Sequence, residues 1–261
     1  MKKHLIYIIG IAATLFTACE NISEDERFLD VEGVTAKRVV LLEDYTGQAC
    51  KNCPNAHEIA AGLHEEYHDN LIVVAIHAGV QAFPAPTGLK TPVGDEYADN
   101  AGIQSYPSGL INRRGGVKDY PLWEAAVYEE IQKETPLTLE VQSSLCDNGK
   151  LSIDTEILAL GDVAGKLQLW VLEDSIAGFQ LLPEGGADVN YVHNHVFRGV
   201  VNGTWGEDVS LSLGEQKVIE HKDFELDATW KTENLSVVAF VYNEDGVLQA
   251  AQCKIIIDDN N

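Results

Sequence analysis

The sequence predicts an α/β domain followed by an all-β sandwich, and three observations carry that reading. Residues 38–77 run through a short apolar strand, an amphipathic helix and a second apolar strand, which is the pattern of a βαβ unit with a parallel pair. After Pro136 the pattern becomes one of short runs alternating apolar and polar residues, separated by turn residues, as antiparallel strands require. Ahead of both lies an apolar leader that belongs to export and not to the fold.

The leader comes first in the chain. Met1-Lys2-Lys3-His4 is a basic start, and Leu5 to Phe16 is an apolar run too short to span a bilayer comfortably, so residues 1–18 read as a signal peptide. Its end, Leu15-Phe16-Thr17-Ala18-Cys19, resembles the lipobox of bacterial lipoproteins. The resemblance implies cleavage before Cys19 and lipid attachment there, against the plainer reading of a secretory signal followed by an incidental cysteine. Residues 19–36 are acidic and polar, a tether. Anchoring on acyl chains would make the membrane a partner through Cys19.

Composition sets the outer limits. The 261 residues, 45% of them hydrophobic, can hold two cores, here residues 37–135 and 136–261. A net charge of −23 becomes two units more negative once Lys2 and Lys3 leave with the signal. Such a chain has no basic stripe to neutralise phosphates, which excludes nucleic acid as a partner. Export also permits disulfides among Cys50, Cys53, Cys146 and Cys253.

In residues 37–135, Arg38 to Tyr45 reads as a buried strand, ended by Gly47. From Asn52 to Tyr67, Ala56, Ile59, Ala60 and Leu63 recur at helical spacing, and Pro54 suits a first turn. Leu71 to His77 is the second strand. The proline- and glycine-rich stretch 78–94 is a long loop, which in a compact domain is often functional and which would lie at the strand ends beside the cysteines. A short helix 95–101, a strand within 104–112, a further strand near Val117 and a helix 121–133 with Leu122, Trp123, Ala126, Val127 and Ile131 inward complete the order. Arg113 and Arg114, ahead of Gly115-Gly116, read as a solvated turn.

Cys50-Lys51-Asn52-Cys53 stands where strand gives way to helix, a placement suited to reversible dithiol chemistry. The helix field supplies about 0.3–1 kcal/mol toward a thiolate at Cys50, less than one pKa unit, so Lys51 and His57 are the candidate sources of further positive charge or a donor. Together these features resemble the thioredoxin-like fold. In that family a C-x-x-C opens the first helix, a cis-proline precedes a later strand, and a buried acid often lies six residues ahead of the first cysteine. Cys50 and Cys53, Tyr106-Pro107 and Asp44 match these positions. The resemblance implies Cys50 as nucleophile and Cys53 as resolving thiol, with Asp44 taking its proton and the Pro107 loop holding an extended backbone. The central pair Lys51-Asn52 and the following Pro54 depart from the family pattern. The competing readings of the pair are a permanent disulfide or a zinc site with His57, which lacks a fourth ligand. No metal and no cofactor is expected. His64 and His68 share a helix face as surface residues.

Residues 136–261 read as seven strands, 137–141, 150–160, 166–172, 191–201, 217–226, 235–242 and 247–257, an antiparallel sandwich of immunoglobulin-like type. Cys146 and Cys253 could bridge its first and last strands, although Cys146 falls on the polar face. Alternation places Tyr191, His193 and His195 on one face, as packed residues or as part of a metal pair. Across the mature chain, Tyr45-Thr46-Gly47-Gln48-Ala49-Cys50-Lys51-Asn52-Cys53-Pro54, Tyr106 to Arg113, His193 to Arg198 and Val238 to Val241 resemble the Bacteroidetes outer-membrane proteins of the twenty-eight-kilodalton type. That resemblance implies a lipid-anchored outer-membrane protein, on its periplasmic or cell-surface face, with an adhesin or receptor role suggested. Two functions follow: thiol-disulfide exchange with exported protein or peptide thiols and disulfides, or binding of a surface ligand with the cysteine pair structural.

Overall fold

The computed structural model describes residues 36–146 and 148–256. The signal peptide 1–18, Cys19 and the tether up to residue 35 lie outside the described residues. The described residues are mostly β, with three α-helices among them.

Strand β1 (Val40–Thr46) leads through the cysteine turn into helix α1 (Cys53–Tyr67) and strand β2 (Leu71–His77), which pairs parallel to β1 from Val40 opposite Leu71 to Thr46 opposite His77. β1 is buried on both faces, which is why its sequence is an unbroken apolar run. Val40 and Leu42 meet Ala56, Ala60 and Leu63 of α1, while Leu41 and Tyr45 face the opposite core. Asp44 and Thr46 therefore share the α1 side with Val40 and Leu42. Helix α2 (Pro92–Ala101) begins three residues earlier than expected: Thr91 caps it, accepting a hydrogen bond from the Gly94 N–H at 2.9 Å, and Pro92 fills its first turn. Strand β3 (Ser108–Ile111) runs antiparallel to β1 and follows a cis Tyr106–Pro107 bond. Helix α3 (Trp123–Ile131) buries Trp123, Ala126 and Val127. Leu122, expected inward, sits in the turn before α3 and is 57% exposed. The expected strand near Val117 is a single bridge between Gly109 and Lys118.

The described residues beyond 136 form ten strands where seven were expected: β4 (Leu137–Leu145), β5 (Leu151–Ala159), β6 (Val163–Glu173), β7 (Ile176–Leu181), β8 (Ala187–His193), β9 (Val196–Val200), β10 (Glu207–Leu211), β11 (Gln216–Phe224), β12 (Leu235–Asn243) and β13 (Gly246–Lys254). They do not close on themselves. An eight-stranded sheet in the order β13-β12-β6-β9-β2-β1-β3, with β10 on β6, crosses the boundary drawn at residue 136. The join is narrow: Val196 of β9 lies opposite Ala75 of β2, and the Ala75 N–H donates to the His195 carbonyl at 2.8 Å.

β6 and β12 each serve two cores. Leu167, Leu169, Val171, Val237 and Ala239 pack against the separate three-stranded sheet β11-β5-β4. Trp170, Leu172, Val238 and Phe240 pack on the other side with Phe197, with Tyr97 of α2 and with Tyr45 of β1. One apolar layer thus spans both halves, and the double burial explains why β6 and β12 read as near-continuous hydrophobic runs. Arg113, expected in a solvated turn, projects into this layer from a positive φ of 54°. Its guanidinium donates to Glu43 Oε1 at 2.6 Å and lies 4.8–5.8 Å from the ring centres of Tyr242, Phe240, Trp170 and Tyr97. A buried Glu43 requires such a partner, and the rings' negative faces favour the cation.

Cys146 and Cys253, weighed as a disulfide, are both free. Cys146 lies beyond the end of β4 in the turn to β5, where its N–H donates to the Lys150 carbonyl, while Cys253 on β13 has its thiol 3.2 Å from the Ser143 hydroxyl.

Candidate functional site

The turn between β1 and α1 carries the cysteine pair, and two segments distant in sequence close over it. Gly47 is required there, because a Cβ at that position would stand 2.4 Å from the Gln81 backbone. The Ala49 N–H donates to the Gln81 carbonyl at 2.8 Å, so the loop after β2 does lie beside the cysteines, as expected. Gln48, 1% exposed, accepts from the Leu89 N–H through its side chain and from the Leu181 N–H through its carbonyl. From the β7–β8 hairpin, Gln180 donates its amide to the Cys50 carbonyl at 2.9 Å. Gln48, Gln180 and the hairpin were not singled out from the sequence, since nothing local ties residue 180 to residue 50.

Cys50 and Cys53 are joined in a disulfide at the start of α1, with Cα atoms 5.4 Å apart. Cys50 is 4% exposed and Cys53 fully buried. Lys51 is exposed on the outer side of the turn. Pro107 immediately precedes β3, whose Ser108 lies opposite Tyr45, which puts the cis bond at the same end of β1 as the cysteine turn. Tyr106 packs its phenol against Gly79, where a Cβ would collide with the hydroxyl.

On the α1 side of β1 lies a cavity of about 250 Å³ whose lining includes Asp44, His57, His77, Tyr191, His193 and His195. Asp44 is 1% exposed, and its Oδ1 has no hydrogen-bond partner. Burial pushes its carboxyl up to about 8, so the group is largely protonated at neutral pH. His57 holds Thr46 Oγ1 through Nε2 at 2.9 Å and the Tyr191 hydroxyl through Nδ1 at 2.8 Å. Burial, then the neighbouring His193, bring its imidazole down to about 4. The 3.7 Å approach of His57 to Asp44 is therefore a contact between two uncharged groups. The lowered value speaks against the first of the two roles offered for His57, positive charge, while the neutral ring keeps one N–H for the second, a donor. The His57 ring shares a hydrogen bond with the Tyr191 hydroxyl, whose pKa burial raises to about 12.

The alternation expected to align Tyr191, His193 and His195 ends at His193. Asn194 and His195 leave the sheet, His195 at a φ of 56°, where its N–H donates to Asp174 Oδ1 at 2.7 Å and Asn194 accepts from the Ser175 N–H. Tyr191 and His193 stay on β8, while the His195 ring turns to Asp174 at 3.2 Å and to His64 at 5.6 Å between ring centres. His68, 64's neighbour at four residues, is exposed at the end of α1. His77, the last residue of β2, was not singled out from the sequence; it meets His193 edge to face at 5.2 Å.

The family model described as outer membrane protein Omp28 matches residues 94–258 of the chain. Among solved structures, HBP35 of Porphyromonas gingivalis is 17% identical and similar over 84% of this chain and 76% of its own, with a TM-score of 0.64. A structural-genomics protein from Agrobacterium tumefaciens is 13% identical over 87% of this chain and 97% of its own, at a TM-score of 0.52. A domain of the outer membrane lipoprotein Omp28 from Porphyromonas gingivalis, 24% identical, aligns with 48% of this chain and 92% of its own at a TM-score of 0.35. No curated protein sequence matches the chain at a significant level. At these identities the solved structures speak for the fold alone. The family match covers well over half of the chain, and it decides the affiliation: the protein belongs to the Omp28 family of outer membrane proteins, and its place is the outer membrane.

Proposed function

We propose that the protein is a lipid-anchored thiol-disulfide exchange protein of the outer membrane, acting on exported proteins through Cys50 and Cys53. In this reading residues 37–135 form a thioredoxin-like unit, joined edge to edge with an immunoglobulin-like sandwich from residue 136, and Cys19 carries the lipid. The observation that carries it is Asp44, a carboxyl buried without a full set of partners and 3.7 Å from His57 of α1. Such burial is costly and serves no packing need. It suits proton transfer: a thiolate on the partner attacks Cys50 Sγ, a mixed disulfide forms, and Cys53 leaves with its electron pair and takes the Asp44 proton. A second partner thiolate then attacks the mixed disulfide, so that the partner leaves oxidised and Cys50 is released as a thiolate. The reverse sequence reduces a partner disulfide.

Cys50→Ser is expected to abolish exchange with a dithiol substrate, whereas Cys146→Ser leaves it intact; equal rates for the two proteins would sink the proposal. Because Cys50 is nearly covered, access requires the β7–β8 hairpin to lift. Gln180→Ala removes its bond to the Cys50 carbonyl, worth about 1 kcal/mol, and should speed disulfide reduction roughly fivefold as followed by thiol labelling. An unchanged rate would show that the hairpin is not the gate.

The same burial favours a second reading, a surface binding or adhesin module with a structural disulfide. The reduction potential separates the two. A value below about −300 mV marks a structural bond and one between about −270 and −120 mV an exchanging pair. The binding reading also expects a Cys50, Cys53 double serine protein to keep its partner.

A further inference from the structure

We propose that His57 relays protons between the buried Asp44 carboxyl and the Tyr191 hydroxyl by exchanging its two ring tautomers. In the exchange reading, on which this assignment rests, Asp44 gives a proton to Cys53 and is left as a buried carboxylate that has to recover one before the next turnover. His57 is placed for that return. Its Nε2 lies 2.9 Å from Thr46 Oγ1 and its Nδ1 2.8 Å from the hydroxyl of the half-buried Tyr191. Asp44 Oδ2 stands 3.7 Å from the same Nε2, beyond hydrogen-bonding distance at rest and within reach of a small ring rotation. Asp44, His57 and Tyr191 also line one cavity.

What marks His57 as a relay is that neither ring nitrogen has a fixed role. A hydroxyl both donates and accepts, so a ring held between two hydroxyls can carry its proton on either nitrogen. His193 and His64 differ. Nε2 of the first at 3.3 Å and Nδ1 of the second at 3.0 Å face backbone carbonyls, which only accept and so fix the tautomer. Burial keeps the His57 ring uncharged at neutral pH, so a proton passes through it instead of resting on it. On the way in, Nε2–H gives its proton to the Asp44 carboxylate, Nδ1 takes the Tyr191 proton, and solvent replaces the latter. On the way out, Asp44 protonates Nε2, Nδ1–H returns a proton to the Tyr191 oxygen, and the hydroxyl releases one to solvent. Each passage converts one tautomer into the other, so one oxidation and one reduction of a partner restore the starting ring.

The mature full-length chain is assayed for reduction of insulin by dithiothreitol, with urea midpoints reporting the fold. His57→Gln, which keeps hydrogen bonds but cannot pass a proton through, should slow turnover about tenfold. Tyr191→Phe should slow it roughly fivefold. Added imidazole should restore His57→Ala, since a cavity of about 150 Å³ admits benzene and this one measures about 250 Å³. In an Asp44→Asn protein, adding His57→Gln should slow turnover no further, because the relay has lost its inner end. With the wild type active, an unchanged rate in His57→Gln or Tyr191→Phe, no rescue by imidazole, or a full His57→Gln effect on top of Asp44→Asn would overturn the relay alone. A wild type that does not reduce insulin would overturn the exchange reading together with it.

Discussion

An Asp44→Asn protein is expected to be more stable than the wild type at pH 8 and to lose the alkaline fall in stability. With the carboxyl at about 8 in the folded chain, against an ordinary value of 3.8, the native state keeps a proton that the unfolded chain gives up. Stability is then fully present near pH 4 and declines as pH rises through about 8, by on the order of 5 kcal/mol if the whole shift is realised. His57 and His193, both held at about 4 against 6.5, act in the opposite sense, and His77 shares their direction. Their contribution is complete above pH 6.5 and is lost as pH falls toward 4. Three groups on the acid side and one on the alkaline side place the stability maximum near pH 6.5. Asparagine keeps the acid limb and removes the alkaline one, while exchange slows because Cys53 has lost its proton partner. Urea midpoints measured from pH 5 to 9 check both limbs. An alkaline decline of equal slope in the two proteins would mean that Asp44 is solvated.

Arg113→Ala should cost about 3–5 kcal/mol, because it strands Glu43 as an uncompensated charge in a dry layer. Glu43 is 1% exposed and also receives the Tyr45 hydroxyl at 3.0 Å. Arg113→Lys should recover little, since an ammonium lacks the planar fork that meets Glu43 while lying among four rings. Arg113→Met combined with Glu43→Gln removes both charges and should restore much of the loss. The rings come from α2, β6 and β12, on both sides of residue 136, so the two halves should weaken together in one unfolding transition. Two separated transitions would contradict this.

The parts legible in the sequence were those fixed by local pattern. β1, α1 and β2 follow from an apolar run, a helical stripe and a second apolar run, whereas Asp44 and Pro107 were picked out only by resemblance to a known fold. The rest depends on pairings distant in sequence, 70 residues for Arg113 with Glu43 and 130 for Gln180 with Cys50. Nothing near Gln180 says that its amide will meet the Cys50 carbonyl. Nothing near Arg113 says that Glu43 and the rings of Trp170 and Phe240 wait for it. Periodicity reported that β6 and β12 are strands, but not that both of their faces are buried, so a single sheet crossing residue 136 could not be told from two domains. The alternation through Tyr191 to Val201 failed at Asn194 and His195, which separate β8 from β9, His195 with a left-handed backbone.

The single bridge between Ala75 and Val196 also orders the protein's biogenesis. A secreted chain emerges amino-terminus first, so β1, α1 and β2 are outside before residues 176–201 arrive. In that interval β2 has an open edge, the β7–β8 hairpin is absent, and both cysteines face an oxidising compartment. A bond between residues three apart in sequence needs neither β9 nor the hairpin, so Cys50 and Cys53 can pair before Cys146 and Cys253 arrive.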